Sequence, residues 1–327
     1  MIERVALEDW VAFDAAHAAP TFFARPAWSM ALATAFAHMS PHAVRVRTDE
    51  GWAIVPLMHV GGGRLGWKEL VGMPMGAYTC ALLEDGQPVS APAFAEAAAE
   101  IARHCDTVTL IPWPLGPVPE PPNWRAFPHE TAAIDLSIGY DAVVRGVDGV
   151  TRRMAGQAER RGVVCEPAAS AALGVATYYG ILRESSERWG LKRPPFPKEL
   201  LEALISLGNG SAEIWLAQCD KHPIAGGVVL YGSQELFFWS AAMRYAYARM
   251  RPSNALNFAL IRHAATAGVR WYNLGASAGL PGVERFKRGL GARNIAYSEL
   301  HREGAAFGVY TRLRSSLRRR PVAAGPV

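Results

Sequence analysis

The chain has 327 residues, half of them apolar, enough for one large domain or two ordinary ones around a sizeable core. No apolar stretch approaches the roughly 20 residues that span a bilayer, and the opening Met1-Ile-Glu-Arg-Val-Ala-Leu-Glu-Asp-Trp10 carries acids where a signal peptide has an apolar core. A cytoplasmic protein is expected. The formal net charge of +5 is modest but uneven, with arginines crowding 152–161, 244–251 and 312–320, each crowd being either a solvated face or a surface for an acidic partner. Cys80, Cys105, Cys165 and Cys219 lack CxxC spacing, so they read as buried thiols, without a disulfide framework or a metal site.

In chain order, the first half predicts a helix over 28–37 and strands over 42–48 and 52–60, with a turn at Gly61-Gly-Gly-Arg64. An irregular strand to Val71, an alanine-rich helix over 92–104, a strand over 107–111, a proline-rich connector over 112–122 and a strand over 132–136 complete it. The second half opens on one long helix over 140–161, then a short strand over 163–166 and helices over 172–189 and 197–207. Strands over 212–219, 224–231 and 235–243 follow almost without interruption, joined by turns at Asp220-Lys-His-Pro223 and Gly232-Ser-Gln234. A helix over 254–267 ends at Gly268.

The stretch from Val269 to Gly291 is the most informative. It reads as a strand over 269–274, a turn at 275–279 too rich in glycine for regular structure, a basic helix entered at Pro281, and a stop at Gly289 and Gly291. Such a backbone presents Arg285, Lys287 and Arg288 to an anionic group beyond the strand end. A strand over 295–301 and a helix over about 304–320 close the chain, the latter carrying Phe307, Tyr310, Leu313 and Leu317 at helical spacing.

There is no G-x-S-x-G elbow, no HExxH and no dinucleotide fingerprint, since Gly226-Gly227 lies inside an apolar strand. An enzyme without a nucleophilic side chain can still catalyse direct transfer between two bound substrates.

Taken together, Thr21-Phe-Phe-Ala-Arg-Pro-Ala-Trp28, Ala133-Ile-Asp-Leu136, Arg152-Arg-Met-Ala-Gly-Gln-Ala-Glu-Arg-Arg161, Arg188-Trp-Gly190, Pro223-Ile-Ala-Gly-Gly-Val-Val-Leu230, Arg251-Pro-Ser-Asn254, Asn273-Leu-Gly275 and Phe286-Lys-Arg-Gly-Leu-Gly291 resemble, in order and spacing, the Fem-type aminoacyltransferases and related acyltransferases of the GNAT superfamily, including the cellulose-biosynthesis acetyltransferase-like group. The resemblance implies an α/β (α+β) fold of two tandem GNAT-like domains, each a mixed twisted sheet flanked by helices, divided as 1–138 and 139–327.

It also implies roles. Lys287 would offset negative charge on a phosphate or tetrahedral intermediate, with Phe286 packed beneath it. Asn273 stands where many relatives carry an aspartate and can bridge backbone groups but cannot act as a base. The donor phosphates would meet Arg249, Arg251 and Arg285, near a helix N-terminus capped by Ser253 or Asn254. Trp239, Tyr245, Arg152 and Arg153 are candidates for the acceptor. The implied reaction moves an activated acyl group onto an amine, with no tightly bound cofactor and no metal. The donor is aminoacyl-tRNA, bound by its 3′ end, or acyl-CoA. The Q/R-x-x-G-x-G/A loop of acyl-CoA enzymes is absent from Arg244-Tyr-Ala-Tyr-Ala-Arg-Met-Arg-Pro-Ser-Asn-Ala255, which favours aminoacyl-tRNA. The acceptor would be a small molecule, a peptide or a cell-wall precursor. Two alternatives stand: an N- or O-acetyltransferase using acyl-CoA or an acyl carrier protein, and a degenerate GNAT fold that binds nucleic acid or makes peripheral membrane contact through its basic segments.

Overall fold

The computed structural model describes residues 1–61 and 66–308. The first half supplies strands β1 (Ile2–Arg4), β2 (Met39–Pro41), β3 (Val44–Thr48), β4 (Gly51–Val55), β5 (Met58–Val60), β6 (Glu69–Val71), β7 (Leu82–Leu83), β8 (Thr107–Leu110) and β9 (Arg125–Asp135), with helices α1 (Leu7–Ala16), α2 (Pro26–Ala35) and α3 (Ala91–Arg103). The second supplies α4 (Tyr140–Gly146), α5 (Gly149–Arg160), β10 (Val163–Pro167), α6 (Ala171–Arg188), α7 (Lys198–Gly208), β11 (Ala212–Cys219), β12 (His222–Tyr231), β13 (Glu235–Met243), α8 (Pro252–Thr266), β14 (Trp271–Asn273), α9 (Pro281–Gly289) and β15 (Arg293–Glu303).

Both halves contain the same unit, a parallel strand pair joined through a helix: β6 and β8 around α3, and β13 and β14 around α8. In each half an antiparallel strand follows, but the two are exchanged: β9 pairs with β14 of the second half, and β15 pairs with β8 and β9 of the first. The result is one eleven-stranded mixed sheet in the order β10-β11-β12-β13-β14-β9-β15-β8-β6-β5-β2, beside a four-stranded sheet β1-β3-β4-β7. Two halves that share this unit are thereby joined edge to edge.

A shared core seals the joint. Phe22, Phe23, Trp28 and Leu32 of the first half pack with Tyr178, Leu200, Leu204 and Phe237 of the second, all of them 3% exposed or less. The Phe23 ring meets Trp28 and Phe237 edge-on at 5.1 Å and Tyr78 at 5.7 Å, geometry that the ring quadrupoles favour. The Thr21–Trp28 motif is thus an interdomain anchor.

Several sequence expectations change. The long helix expected over 140–161 is two, because Asp148 caps a new helix by accepting from the Val150 and Thr151 N–H groups. The strand expected over 132–136 starts ten residues after Leu115, at Arg125; its outer part has six exposed residues and escapes any hydrophobic pattern. Helix α8 begins at Pro252 with Arg251 as its N-cap, so neither Ser253 nor Asn254 caps it: the Ser253 hydroxyl faces the Met243 sulfur and Asn254 is buried. Gly291, at φ +87°, makes the stop after α9, while Gly289 stays helical against Thr151. Of the expected helix over 304–320, residues 305–308 are helical and Phe307 meets the Trp67 ring edge-on; Tyr310, Leu313, Leu317 and the arginines beyond lie outside the described residues, as does most of the Gly61–Arg64 turn. No described helix is long and apolar enough to cross a membrane.

Candidate active site where two parallel strands part

Strands β13 and β14 pair only from Glu235 to Phe237 and from Trp271 to Asn273. Beyond Phe237, β13 bulges at Trp239 and runs on to Met243, whereas the other chain leaves the sheet at Gly275, at φ +70°. The sheet opens where they part. A glycine suits that departure because the positive φ would strain any other residue.

A buried polar network fixes the departure point. Asn273 is fully buried; its Oδ1 accepts from the Thr131 hydroxyl at 2.7 Å and the Gly275 N–H at 2.9 Å, and its Nδ2 donates to Glu235 Oε1 at 2.6 Å. The Tyr78 hydroxyl donates to Thr131 Oγ1 at 3.1 Å, extending the network into the first half. Lys287 completes it from α9: its Nζ donates to the Gly275 and Ala276 carbonyls, both at 2.8 Å, and only 7% of the residue is exposed. Burial pulls the amine down to about 8. In its charged form the ammonium has three donors, so one remains for a substrate atom beside the turn.

Glu235 is the member that sequence reading missed. It is 1% exposed, and burial pushes its carboxyl up to about 7 against the opposing influence of Thr21, Asn273 and Trp113. The one signal was a carboxylate heading an otherwise apolar strand. Thr131, Tyr78, Thr21 and Trp113 carried no signal, since their meeting depends on the exchanged strand and the interdomain joint.

The remaining candidates are dispersed. Phe286 is half-buried and packs on the second-half core. Arg285 and Arg288 point outward, Arg288 pairing with Glu284. Between β13 and α8 the chain forms a 3-10 turn (Tyr245–Met250) whose backbone is closed on itself: Tyr247 N–H donates to Arg244 O, Arg251 N–H to Ala248 O, and Arg161 to the Arg249 carbonyl. Arg249 is exposed; Arg251 sits in the left-handed region at φ +59°, and its Nε, like that of Arg244, is buried without a hydrogen-bond partner. Tyr245 is exposed, with the Arg188 guanidinium 5.1 Å from its ring centre. Trp239 is committed to packing: Nε1 donates to Met75 O at 3.0 Å, and the ring stacks on Phe196 and meets Trp28 edge-on. Arg152 lines a separate cavity of about 610 Å³ between α5 and α8 whose walls include none of the other candidates, and Arg153 is exposed on the same helix. A cavity of about 540 Å³ adjoins the Lys287-supported turn, lined by Thr131, Glu130, Ser277, Glu284 and Asn294 among others.

Residues 148–288, which hold the parting strands and the helix-supported turn, match the family model of the acetyltransferase (GNAT) domain. The second half therefore carries a segment similar to the acetyltransferase (GNAT) domain. The whole chain has the fold of FemX: 96% of it aligns with 99% of that chain at TM-score 0.70 and 11% identity. The C-terminal domain of a putative lysylphosphatidylglycerol synthetase from Agrobacterium fabrum aligns over 95% of this chain and 96% of its own at TM-score 0.57 and 13% identity. A conserved protein of unknown function from Bacteroides thetaiotaomicron aligns over 93% and 100% at TM-score 0.59 and 8% identity. These identities speak for fold alone. No curated protein matches the sequence.

Proposed function

We propose that this acyltransferase moves an aminoacyl group from aminoacyl-tRNA onto an amine by direct attack, with no tightly bound cofactor. The observation that carries the choice of donor is the closed 3-10 turn between β13 and α8. A glycine loop there would offer free backbone N–H groups to the pyrophosphate of CoA; here the Tyr247 and Arg251 N–H groups are bonded within the turn, and Pro252 removes a further donor from the start of α8. Arginine side chains stand in their place: Arg249 is exposed and Arg251 half-buried beside it, cations suited to a phosphate backbone. The third Lys287 donor meets the oxyanion that forms when the ester is attacked. The acceptor amine enters the cavity beside the turn, where Glu130 and Glu284 supply complementary charge.

The test is to incubate the protein with a mixture of small amines and peptides, adding either charged tRNA or acetyl-CoA, and to identify products by mass spectrometry. Product with charged tRNA only is expected, and calorimetry should show no saturable heat with CoA. Binding of charged tRNA should weaken steeply with salt, and more gently once Arg249 and Arg251 are both replaced by Ala. Product formed from acetyl-CoA would overturn the donor assignment while leaving the acyltransferase class in place.

A further inference from the structure

A further pocket lies far along the sheet from the parting strands, in the first half where β1, the bend between β2 and β3, β5 and the end of α3 come together. It has a volume of about 560 Å³. Five nitrogen-bearing side chains line it, Arg4, His42, His59, Lys68 and His104, together with Glu3 and Ser40, and Ile2 and Val44 form its apolar wall. The carboxylates are engaged, both Glu3 in the lining and those around it. Glu3 pairs with Arg45, Asp106 accepts the Lys68 backbone N–H at 2.7 Å, and Glu100 takes Arg103 and His104. Neither Arg4 nor Lys68 forms an ion pair among the described residues.

The field inside is positive. Burial, then Arg4, Lys68 and His59 in turn, pull the His42 imidazole down to about 4, so that ring is neutral at pH 7 and donates a single N–H. The His42 and His59 rings lie 6.3 Å apart, so both can face one small guest. Like charges gathered in a concavity repel one another, and an anion entering it converts that repulsion into attraction.

We propose that this pocket binds the phosphate group of a phosphorylated small molecule. Arg4 and Lys68 supply the charge, His42 and His59 supply directed N–H donors, and Ile2 and Val44 cover the organic part. The cavity exceeds a bare phosphate, which favours a phosphomonoester as its occupant. The assignment does not rest on the transferase reading, because its residues belong to neither the parting strands nor the 244–251 turn.

The experiment uses the full chain carrying isotope-labelled histidine, titrated at pH 7 with inorganic phosphate, with ribose 5-phosphate and with ribose while the ring signals are followed by NMR. Saturable displacement of the His42 and His59 signals by the phosphates and not by ribose is expected. Tighter binding of ribose 5-phosphate identifies a phosphomonoester as the guest; equal or weaker binding overturns that part and leaves a free-anion site. Replacing Arg4 and Lys68 together by Gln should weaken binding by about tenfold or more, whereas Arg160→Gln in the second half should leave it unchanged. Should the double variant fail to fold, Lys68→Gln alone should weaken binding by about threefold or more. Displacement that never saturates, or that survives the loss of Lys68 at full affinity, overturns the site.

Discussion

At Lys287 one amine supports the turn and, in the function proposed above, also stabilises charge, so a single substitution removes both. Lys287→Met leaves the Gly275 and Ala276 carbonyls without their donor, which costs about 1–3 kcal/mol of stability, and removes the oxyanion donor, lowering turnover by roughly a hundredfold. Arg288→Met, one position on and exposed, loses only its pair with Glu284 and should change neither by much. Melting curves and turnover measured side by side separate the roles: equal losses at both positions would point to a diffuse basic patch. Glu235 gives a different prediction. Its folded-state carboxyl is raised from 4.5 to about 7, so the native state holds a proton that the unfolded chain releases. The stability this contributes is complete below about pH 4.5 and is lost as pH rises through 7. Glu235→Gln keeps an oxygen for Asn273 Nδ2 and carries no charge, so its melting temperature relative to the parent should climb between pH 5 and pH 8. A gap that stays constant with pH would mean that Glu235 is ionised throughout. The turn beside Asn273 and Lys287 was legible because glycines and a proline mark it, while the two residues themselves stood out only through the family resemblance. Glu235 was not legible, because the groups that act on its carboxyl include Thr21 and Trp113, more than a hundred residues away in the chain.

Elements were legible wherever periodicity and punctuation agreed. The strands 212–219 and 235–243 fall where alternation and the turns at Asp220 and Gly232 place them, and Asp220 and Lys221 adopt the positive φ values, 51° and 62°, that a tight hairpin needs. The 140–161 region misled because helical residues continue on both sides of Asp148, and only the cap interrupts them. The turn before α8 combines a backbone requirement with a side-chain one at Arg251, and substitution can separate them. Arg251→Gly satisfies φ +59° without strain, so stability should hold or rise by about 1 kcal/mol, while affinity for charged tRNA falls and becomes less sensitive to salt. Arg251→Val places a β-branched residue in the left-handed region and should lower the melting temperature. If Gly destabilises as much as Val, the packing of the arginine stem, and not the backbone, holds the turn.

For the molecule as a whole, a two-domain plan followed from the family resemblance, but the exchange of final strands did not, because β9 and β15 look alike as isolated segments and nothing local states which sheet each will join. The exchange has a direct consequence for any division of the chain. We take 1–138 and 139–327 as the two domains by sequence order, yet a fragment ending at 138 leaves β9 without both neighbours, β14 and β15, while a fragment starting at 139 keeps β15 but lacks β8 and β9. Each fragment would also expose half of the Phe23–Phe237 joint. Neither 1–138 nor 139–308 alone should therefore show a cooperative thermal transition, and mixing or co-expressing them should restore one. Gly232→Ala probes the same joint in the intact chain, since a Cβ there would stand 2.3 Å from the Pro20 carbonyl oxygen and 2.5 Å from Thr21 Cα. Backbone cannot yield as a side-chain tip can, so the variant should lose several degrees of melting temperature across the whole transition. A sharp, independent transition from 139–308 would show that the second half completes its own sheet. The network through Thr131 and Tyr78 would then be a surface contact, and the turn that holds Lys287 would owe nothing to the first half.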